Sequence, residues 1–170
     1  MIARYDRPVR VIGLLRDGLP GRVVVPVDGD VAGVRALAAH ESRRVLIRNT
    51  TETPAVWREV MGALPRELVG FALDLGWAHR SAAGLLPPAV EEPARAFLRW
   101  ADRVEAVVLH DADDRRVGLP LGQGRVAWHD LAVALGESGV AAPLLLDVEG
   151  DPAQSLALAR LLFTTERYSS

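Results

Sequence analysis

The sequence predicts an α/β protein in which parallel strands form a central sheet. Six short runs along the chain are rich in Val, Leu and Ile and apolar nearly throughout, which is typical of strands buried on both faces. Longer amphipathic stretches separate most of these runs, as crossover helices separate parallel strands. The predicted strands are residues 9–14, 22–27, 44–49, 68–74, 105–111 and 143–148.

Two of the stretches between the strands carry a clear signal for the start of a helix. Thr53 can accept a hydrogen bond from the first helical turn, and Pro54 suits the first helical position. Asp151 and Pro152 repeat this combination near the C-terminus. The predicted helices lie within residues 30–40, 53–64, 93–103, 128–139 and 150–163.

The connection between the first two predicted strands is short. Residues 16–21, with the sequence RDGLPG, leave too little chain for a crossover helix. We therefore expect these strands to be either a hairpin-like pair or the remnant of a deletion. Since no internal repeat, low-complexity tract or linker is visible, residues 1–170 are expected to form a single domain.

Composition argues against several classes of protein. The chain has 170 residues, 49% of them hydrophobic, and a net charge of −2. Its 20 basic residues are all Arg and form no basic block, so the footprint of a nucleic-acid-binding protein is missing. The absence of Cys excludes disulfides, thiolate catalysis and Cys-ligated zinc. No run has the length of a signal peptide or a membrane span, so we expect a cytoplasmic protein without a membrane partner.

Five segments resemble, in order and spacing, the xylose-isomerase-like TIM barrels. This superfamily contains sugar phosphate isomerases and epimerases and relatives of endonuclease IV. The likeness covers roughly residues 44–158, whereas residues 1–43 match loosely and are shortened. Because a closed barrel takes about 250 residues, the resemblance implies a truncated barrel with about six parallel strands. The segments are VLIRNTTETPAVWREVMGAL, VGFALDLGWAH, VEAVVLHDAD, LPLGQGRVAW and PLLLDVEGDPAQSL.

The resemblance also implies a degenerate metal site. In these barrels a Glu, an Asp, a His and a second Glu hold a divalent metal at the C-terminal mouth, and a further His often assists. The corresponding positions here are, in that order, Arg48, Asp74, Val108, Asp147 and Trp77. A guanidinium stays protonated and offers only donors, so Arg48 repels a metal ion. We therefore expect no metal cofactor, with Arg48 in the position of the cation and paired with Asp74 and Asp147.

Strand alternation adds two more side chains to the mouth. Residues two apart share a face of a strand, so His110 should point the same way as Val108, and Glu149 the same way as Asp147. His110 or Glu149 would act as acid or base, and Arg48 would hold a carboxylate, phosphate or enolate oxygen. The alternative is a polar plug of the core without a ligand. The expected catalytic residues are His110, Glu149 and Asp74, and the expected substrate-binding residues are Arg48, Trp77 and Asp147.

Other polar residues give weaker indications of a functional site. Three Asp residues follow the fifth predicted strand, at 111, 113 and 114, and their spacing only superficially resembles a calcium loop. A solvated turn is the preferred interpretation. His40, His79 and His129 have no spacing that suggests joint ligation of a metal.

Three functions stay open. The first is a metal-independent isomerase, epimerase, lyase or cyclase that acts on a small oxygenated substrate. The second is a non-catalytic binding or scaffolding protein, with a full-length barrel as one expected partner. The third is a standard metal-dependent sugar isomerase. In each case an incomplete sheet leaves edges that proteins seldom expose, so we expect a homodimer contact, another partner or the N-terminal segment to cover them.

Overall fold

The computed structural model describes residues 12–27, 30–86 and 91–164. Its strands are β1 (Ile12–Leu14), β2 (Arg22–Pro26), β3 (Arg44–Arg48), β4 (Val69–Asp74), β5 (Val104–Leu109), β6 (Asp111–Ala112), β7 (Val117–Leu119) and β8 (Leu144–Leu146). Six of them form one curled sheet in the order β1, β8, β5, β4, β3, β2, and all neighbours in it are parallel. The predicted incomplete barrel of six parallel strands is confirmed. Strands β6 and β7 form a separate antiparallel hairpin that was not predicted.

Helices surround the convex side of the sheet. They are α1 (Val31–His40), α2 (Pro54–Ala63), α3 (Leu75–Ala82), α4 (Trp128–Glu137) and α5 (Ala153–Thr164), with 3-10 helices at Leu15–Asp17 and Pro93–Arg103. The Thr53 side chain accepts a hydrogen bond from the Val56 N–H at 3.4 Å, so the predicted start of α2 is confirmed. The predicted helix within residues 93–103 is a 3-10 helix instead. Helix α3 was not predicted; its eight residues follow β4 directly and are too few to show a period.

No helix in the described part of the chain is long and apolar enough to cross a membrane.

The first two strands lie at opposite edges of the sheet. Strand β1 pairs with β8, and β2 pairs with β3. The hairpin-like pairing considered for them is therefore wrong: each strand pairs in parallel with a different neighbour. The short connection between β1 and β2 therefore crosses the gap between the two edges of the curled sheet. Within residues 12–27, 30–86 and 91–164, no strand pairs with the outer edges of β1 and β2.

The candidate functional site lies at the C-terminal end of the concave face of the sheet. Its apolar cluster consists mainly of the buried side chains of Leu46, Ala72, Ala106, Val108 and Leu145. Because residues two apart share a face, the strands that supply this cluster carry their next inward side chains to the C-terminal end. On β3, Leu46 is followed by Arg48 in this way. The larger apolar cluster lies between the sheet and the helices.

Candidate functional site at the mouth of the open barrel

Three charged side chains meet at the C-terminal mouth of the sheet. Arg48 ends β3, Asp74 ends β4 and Asp147 directly follows β8. The Arg48 guanidinium donates from Nε to Asp74 Oδ2 at 2.7 Å and from Nη2 to Asp147 Oδ2 at 2.6 Å. Nη2 also lies 2.6 Å from Asp74 Oδ2. The structure thus places Arg48 between two carboxylates, in the arrangement that the family resemblance implies.

Asp74 is held rigidly by main-chain and side-chain hydrogen bonds. Its N–H donates to Asn49 Oδ1 at 2.8 Å, and Asn49 Nδ2 donates to its carbonyl at 3.0 Å. Its Oδ1 accepts from the Trp77 N–H at 2.9 Å and caps α3. Asn49 was not among the predicted site residues. The available signal was a buried amide at the end of a strand, immediately after Arg48.

His110 lies beneath the same cluster and is 1% exposed. Its Nε2 is 2.8 Å from Asp74 Oδ1, but the two are not aligned as a hydrogen bond, so their attraction is mainly electrostatic. Its Nδ1 lies 2.9 Å from the Gly118 N–H, which donates to it, and 3.1 Å from the Asp111 carbonyl. In the neutral ring Nδ1 accepts from Gly118, whereas a protonated Nδ1 would donate to Asp111 instead.

Burial and charge act in opposite directions on these groups. Burial raises the pKa of Asp74, but His110, Arg48 and the Trp77 N–H outweigh it, and the pKa lies below its ordinary value of 3.8. Burial lowers the pKa of His110, but the Asp74 carboxylate outweighs it, and the pKa lies above its ordinary value of 6.5. Burial also lowers the pKa of Arg48, and Asp74 and Asp147 together raise it above its ordinary value. The cluster is therefore built to hold opposite charges together.

The free energy of unfolding should be largest between about pH 4 and pH 6.5, because both stabilising contributions are complete only there. The lowered pKa of Asp74 stabilises the fold above 3.8, and this contribution disappears as the pH falls through the folded-state pKa. The raised pKa of His110 stabilises the fold below 6.5, and this contribution disappears as the pH rises through the folded-state pKa. Urea unfolding at a series of pH values should show an alkaline decline in the wild type that is absent in His110→Asn. Equal alkaline behaviour of the two proteins would contradict the assignment.

Two cavities open at the mouth, and both are lined by Arg48, Trp77 and Asp147. One has a volume of about 540 Å³ and extends along β2. The other, of about 290 Å³, is also lined by His110 and Glu149. Five of the six residues predicted for the site therefore line a cavity, and the sixth, Asp74, lies directly behind Arg48.

The groups that a ligand can reach are fewer than the groups that line the cavities. Asp74 is fully buried, and both ring nitrogens of His110 face protein atoms. By contrast, the side chain of Asp147 is 44% exposed, and Glu149 is exposed. The sequence-based assignment of Asp74 and His110 to catalysis remains a prediction. In the structure, the polar atoms of both side chains contact other protein groups and do not face a cavity.

The residues at this mouth do not fit the divalent metal that the fold family implies. The space between Asp74 and Asp147 contains the guanidinium of Arg48, and the position that resembles a His ligand is Val108 on the apolar concave face. Across residues 12–27, 30–86 and 91–164, no group of three or more His, Asp or Glu side chains is arranged to hold a metal ion. We therefore derive no chemical step through a metal.

Asp111 has a structural role that the sequence analysis missed. The interpretation of residues 111, 113 and 114 as a solvated turn is wrong for Asp111, which is fully buried. Its carboxylate accepts hydrogen bonds from four donors: the N–H groups of Ala112, Gly122 and Val126 and the Nε1–H of Trp128. The carboxylate therefore holds the loop before α4 against the end of β5.

Comparisons with known proteins show the fold. No family model matches the sequence, and no curated protein matches it. A xylose isomerase domain protein from Planctomyces limnophilus superimposes with a TM-score of 0.60 at 18% identity, over 85% of this chain and 57% of that protein. A D-tagatose 3-epimerase-like protein gives 0.60 at 14% identity, over 83% and 60%. The 3-keto-D-glucoside 4-epimerase YcjR from E. coli gives 0.56 at 20% identity, over 81% and 63%.

This chain therefore spans about three-fifths of the length of these three structures. Likeness at such low identity shows the architecture and leaves the activity to be inferred from the site. The protein has the fold of the xylose-isomerase-like TIM barrels in an incomplete form with six parallel strands.

Proposed function

We propose that the protein is a metal-independent isomerase or epimerase, or a related lyase or cyclase, that acts on a small oxygenated substrate at the mouth. The observation that carries this proposal is the guanidinium of Arg48, which lies between Asp74 and Asp147 at 2.6–2.7 Å. It supplies a fixed positive charge at the base of two cavities. The sugar epimerases among the structural neighbours support a sugar-like substrate.

Arg48 retains donors for a ligand. Its Nε and Nη2 serve the two carboxylates, while Nη1 donates to none of the described residues. A carbonyl or hydroxyl oxygen of the substrate can accept from Nη1. The N–H groups would then stabilise the negative charge that develops on this oxygen when a neighbouring carbon loses a proton.

Glu149 is the acid or base that this geometry favours. It is exposed, lines the smaller cavity and carries no described hydrogen bond on its carboxylate. In the proposed step, Glu149 takes a proton from the carbon beside the carbonyl, and the C–H electron pair forms an enediolate held by Arg48. If Glu149 returns the proton to the adjacent carbon while the neighbouring hydroxyl proton moves to the former carbonyl oxygen, the substrate is isomerised. Epimerisation would need a proton from an acid or a water molecule on the opposite face of the same carbon. Trp77 would pack against the carbon skeleton, and Asp147 would accept from a substrate hydroxyl.

Glu149→Gln should lower the rate of proton exchange by at least about a hundredfold, which is the usual contribution of a general base. The assay is NMR detection of deuterium uptake beside the carbonyl of D-fructose, D-tagatose and D-psicose in D₂O, with EDTA present throughout. The matched control is Glu59→Gln, because Glu59 is an exposed carboxylate on α2, away from the mouth. Equal rates in the two variants would remove Glu149 from the mechanism. Exchange that requires an added divalent metal would overturn metal independence.

A non-catalytic binding or scaffolding protein is the second candidate, and one observation favours it. The outer edges of β1 and β2 have no strand partner among the described residues, and exposed edges invite pairing with another chain. On this account a second copy or a full-length barrel covers the opening. If a second copy covers it, sedimentation velocity should show a dimer, with slow amide exchange along β2. A monomer with unprotected β2 amides, together with proton exchange on a sugar, would favour the enzyme.

A further inference from the structure

The main chain of Gly118 connects His110 to Glu149. On one side, the Gly118 N–H donates to His110 Nδ1 at 2.9 Å. On the other side, the Gly118 carbonyl accepts from the Glu149 N–H at 2.8 Å. One residue of β7 thus touches both the buried imidazole and the segment that carries the exposed carboxylate.

Two glycines make this contact possible. Gly118 has a φ of +80°, which favours Gly, and a Cβ there would lie 3.6 Å from Glu149 Cγ. The Glu149 side chain therefore runs alongside the Gly118 Cα. At Gly76, a Cβ would lie 2.3 Å from the His110 ring and 2.6 Å from the His110 carbonyl. The ring therefore occupies space that any other residue at 76 would fill.

The ring is fixed on its other side as well. His110 Nε2 is 2.8 Å from Asp74 Oδ1, and the same carboxylate binds Arg48 through Oδ2. In the neutral ring with its proton on Nε2, that N–H faces Asp74 without an aligned hydrogen bond, and Nδ1 accepts from Gly118. The contacts thus run from Arg48 through Asp74, His110 and Gly118 to the main chain of Glu149.

We propose that His110 is a positioning residue, which holds Gly118 through Nδ1 and thereby fixes Glu149 beside the Arg48 cluster. The inference rests on the proposed function only in making Glu149 the acid or base. Whether the Gly118–Glu149 geometry depends on Nδ1 of His110 can be measured without a substrate.

Two variants separate the two nitrogens of the ring. In His110→Asn, the side-chain oxygen can take the place of Nδ1 and accept from Gly118, whereas the contact with Asp74 is lost. In His110→Gln, the terminal amide can reach Asp74 in place of Nε2, whereas the acceptor for Gly118 is lost. If His110 only filled space, the two variants would not differ in their effect on Gly118.

NMR provides the readouts, at an alkaline pH where the ¹⁵N shifts of the His110 ring show the neutral imidazole. In the wild type, a scalar coupling across the hydrogen bond between Gly118 N and His110 Nδ1 is expected. In His110→Gln, the Gly118 amide should exchange about five- to tenfold faster, and the nuclear Overhauser effect between Gly118 Hα and Glu149 Hγ should weaken. In His110→Asn, both should stay near the wild-type values.

Absence of the coupling in the wild type would overturn the proposal even if a variant fails to fold. Unchanged Gly118 and Glu149 signals in His110→Gln, or equal losses in both variants, would overturn it too. The expected NMR pattern without proton exchange on any tested sugar would support the positioning role and count against the proposed function. With turnover, His110→Gln should lower kcat more than it raises KM, and His110→Asn should restore kcat.

Discussion

Arg48→Met should lower the free energy of unfolding by about 3–5 kcal/mol, because it leaves a buried carboxylate without its guanidinium. Asp74 is fully buried, and the Arg48 side chain is only 17% exposed. Asp147 contributes less to this loss, since its side chain is 44% exposed and water can replace Arg48. Chemical denaturation of the wild type and the variant at neutral pH measures the difference.

The matched control for this substitution is Arg58→Met. Arg58 is exposed on α2, so its replacement should change stability by no more than about 0.5 kcal/mol. A loss below about 1 kcal/mol for Arg48→Met would show that Asp74 does not depend on the guanidinium.

Arg48→Glu extends this test to metal binding. The variant places a third carboxylate beside Asp74 and Asp147, so repulsion should destabilise it strongly in the presence of EDTA. Mn²⁺ should then raise its Tm, because an ion that binds only the folded state stabilises that state. The wild type should show no such rise. A wild type that gains as much from Mn²⁺ as the variant would argue that Arg48 does not replace a cation.

Asp111→Ala is expected to destabilise the protein by about 4 kcal/mol, because it leaves several buried donors without an acceptor. The carboxylate serves three main-chain N–H groups and the Nε1–H of Trp128, which lie on both sides of the loop before α4. We also expect faster amide exchange at Gly122 and Val126. Denaturant unfolding and exchange measurements on the same variant test both effects.

Asp113→Ala is the control for Asp111→Ala, since Asp113 lies two residues later in the same hairpin. Its carboxylate also accepts main-chain hydrogen bonds, from the N–H groups of Arg115 and Arg116, but in an exposed turn. Water can replace it there, so the loss should stay near 1 kcal/mol or below. Similar losses for both variants would mean that the burial of Asp111 has no energetic consequence.

The strands were predictable from local sequence patterns, and the Arg48 contact was predictable from the family resemblance. Buried parallel strands are apolar throughout, and the five strands from β2 onward in the six-stranded sheet were located to within two residues at each end. Residues 9–11 of the first predicted strand lie outside the described residues. The pairing of Arg48 with Asp74 and Asp147 was expected because the family resemblance places all three at the metal site, and a permanent cation there pairs with the two carboxylates.

The remaining features depend on contacts that are distant in sequence. Nothing next to Asp111 indicates that Trp128 and Val126 will donate to it. Likewise, Gly118 resembles any turn glycine until the fold places His110 and Glu149 on either side of it. The hairpin of β6 and β7 has strands too short to show alternation. The roles of these residues become visible only in the folded structure, where the ends of the strands lie next to one another.

The proposed replacement of a metal ion by Arg48 would change the chemistry available at the mouth. A guanidinium stabilises a developing oxyanion by directed N–H donors, but it does not lower the pKa of a bound water as a metal ion does. This favours transfer of a proton between substrate atoms over hydrolysis. In the proposed function, turnover would then depend most on Glu149, the exposed carboxylate in the smaller cavity.

Anomalous X-ray diffraction from crystals of protein purified without chelators tests the central claim most directly. We predict the guanidinium of Arg48 within hydrogen-bond distance of both Asp74 and Asp147, and no stoichiometric transition metal on Asp74. A metal bound to the Asp74 carboxylate at about 2.0–2.2 Å, with Arg48 turned away from it, would contradict the account.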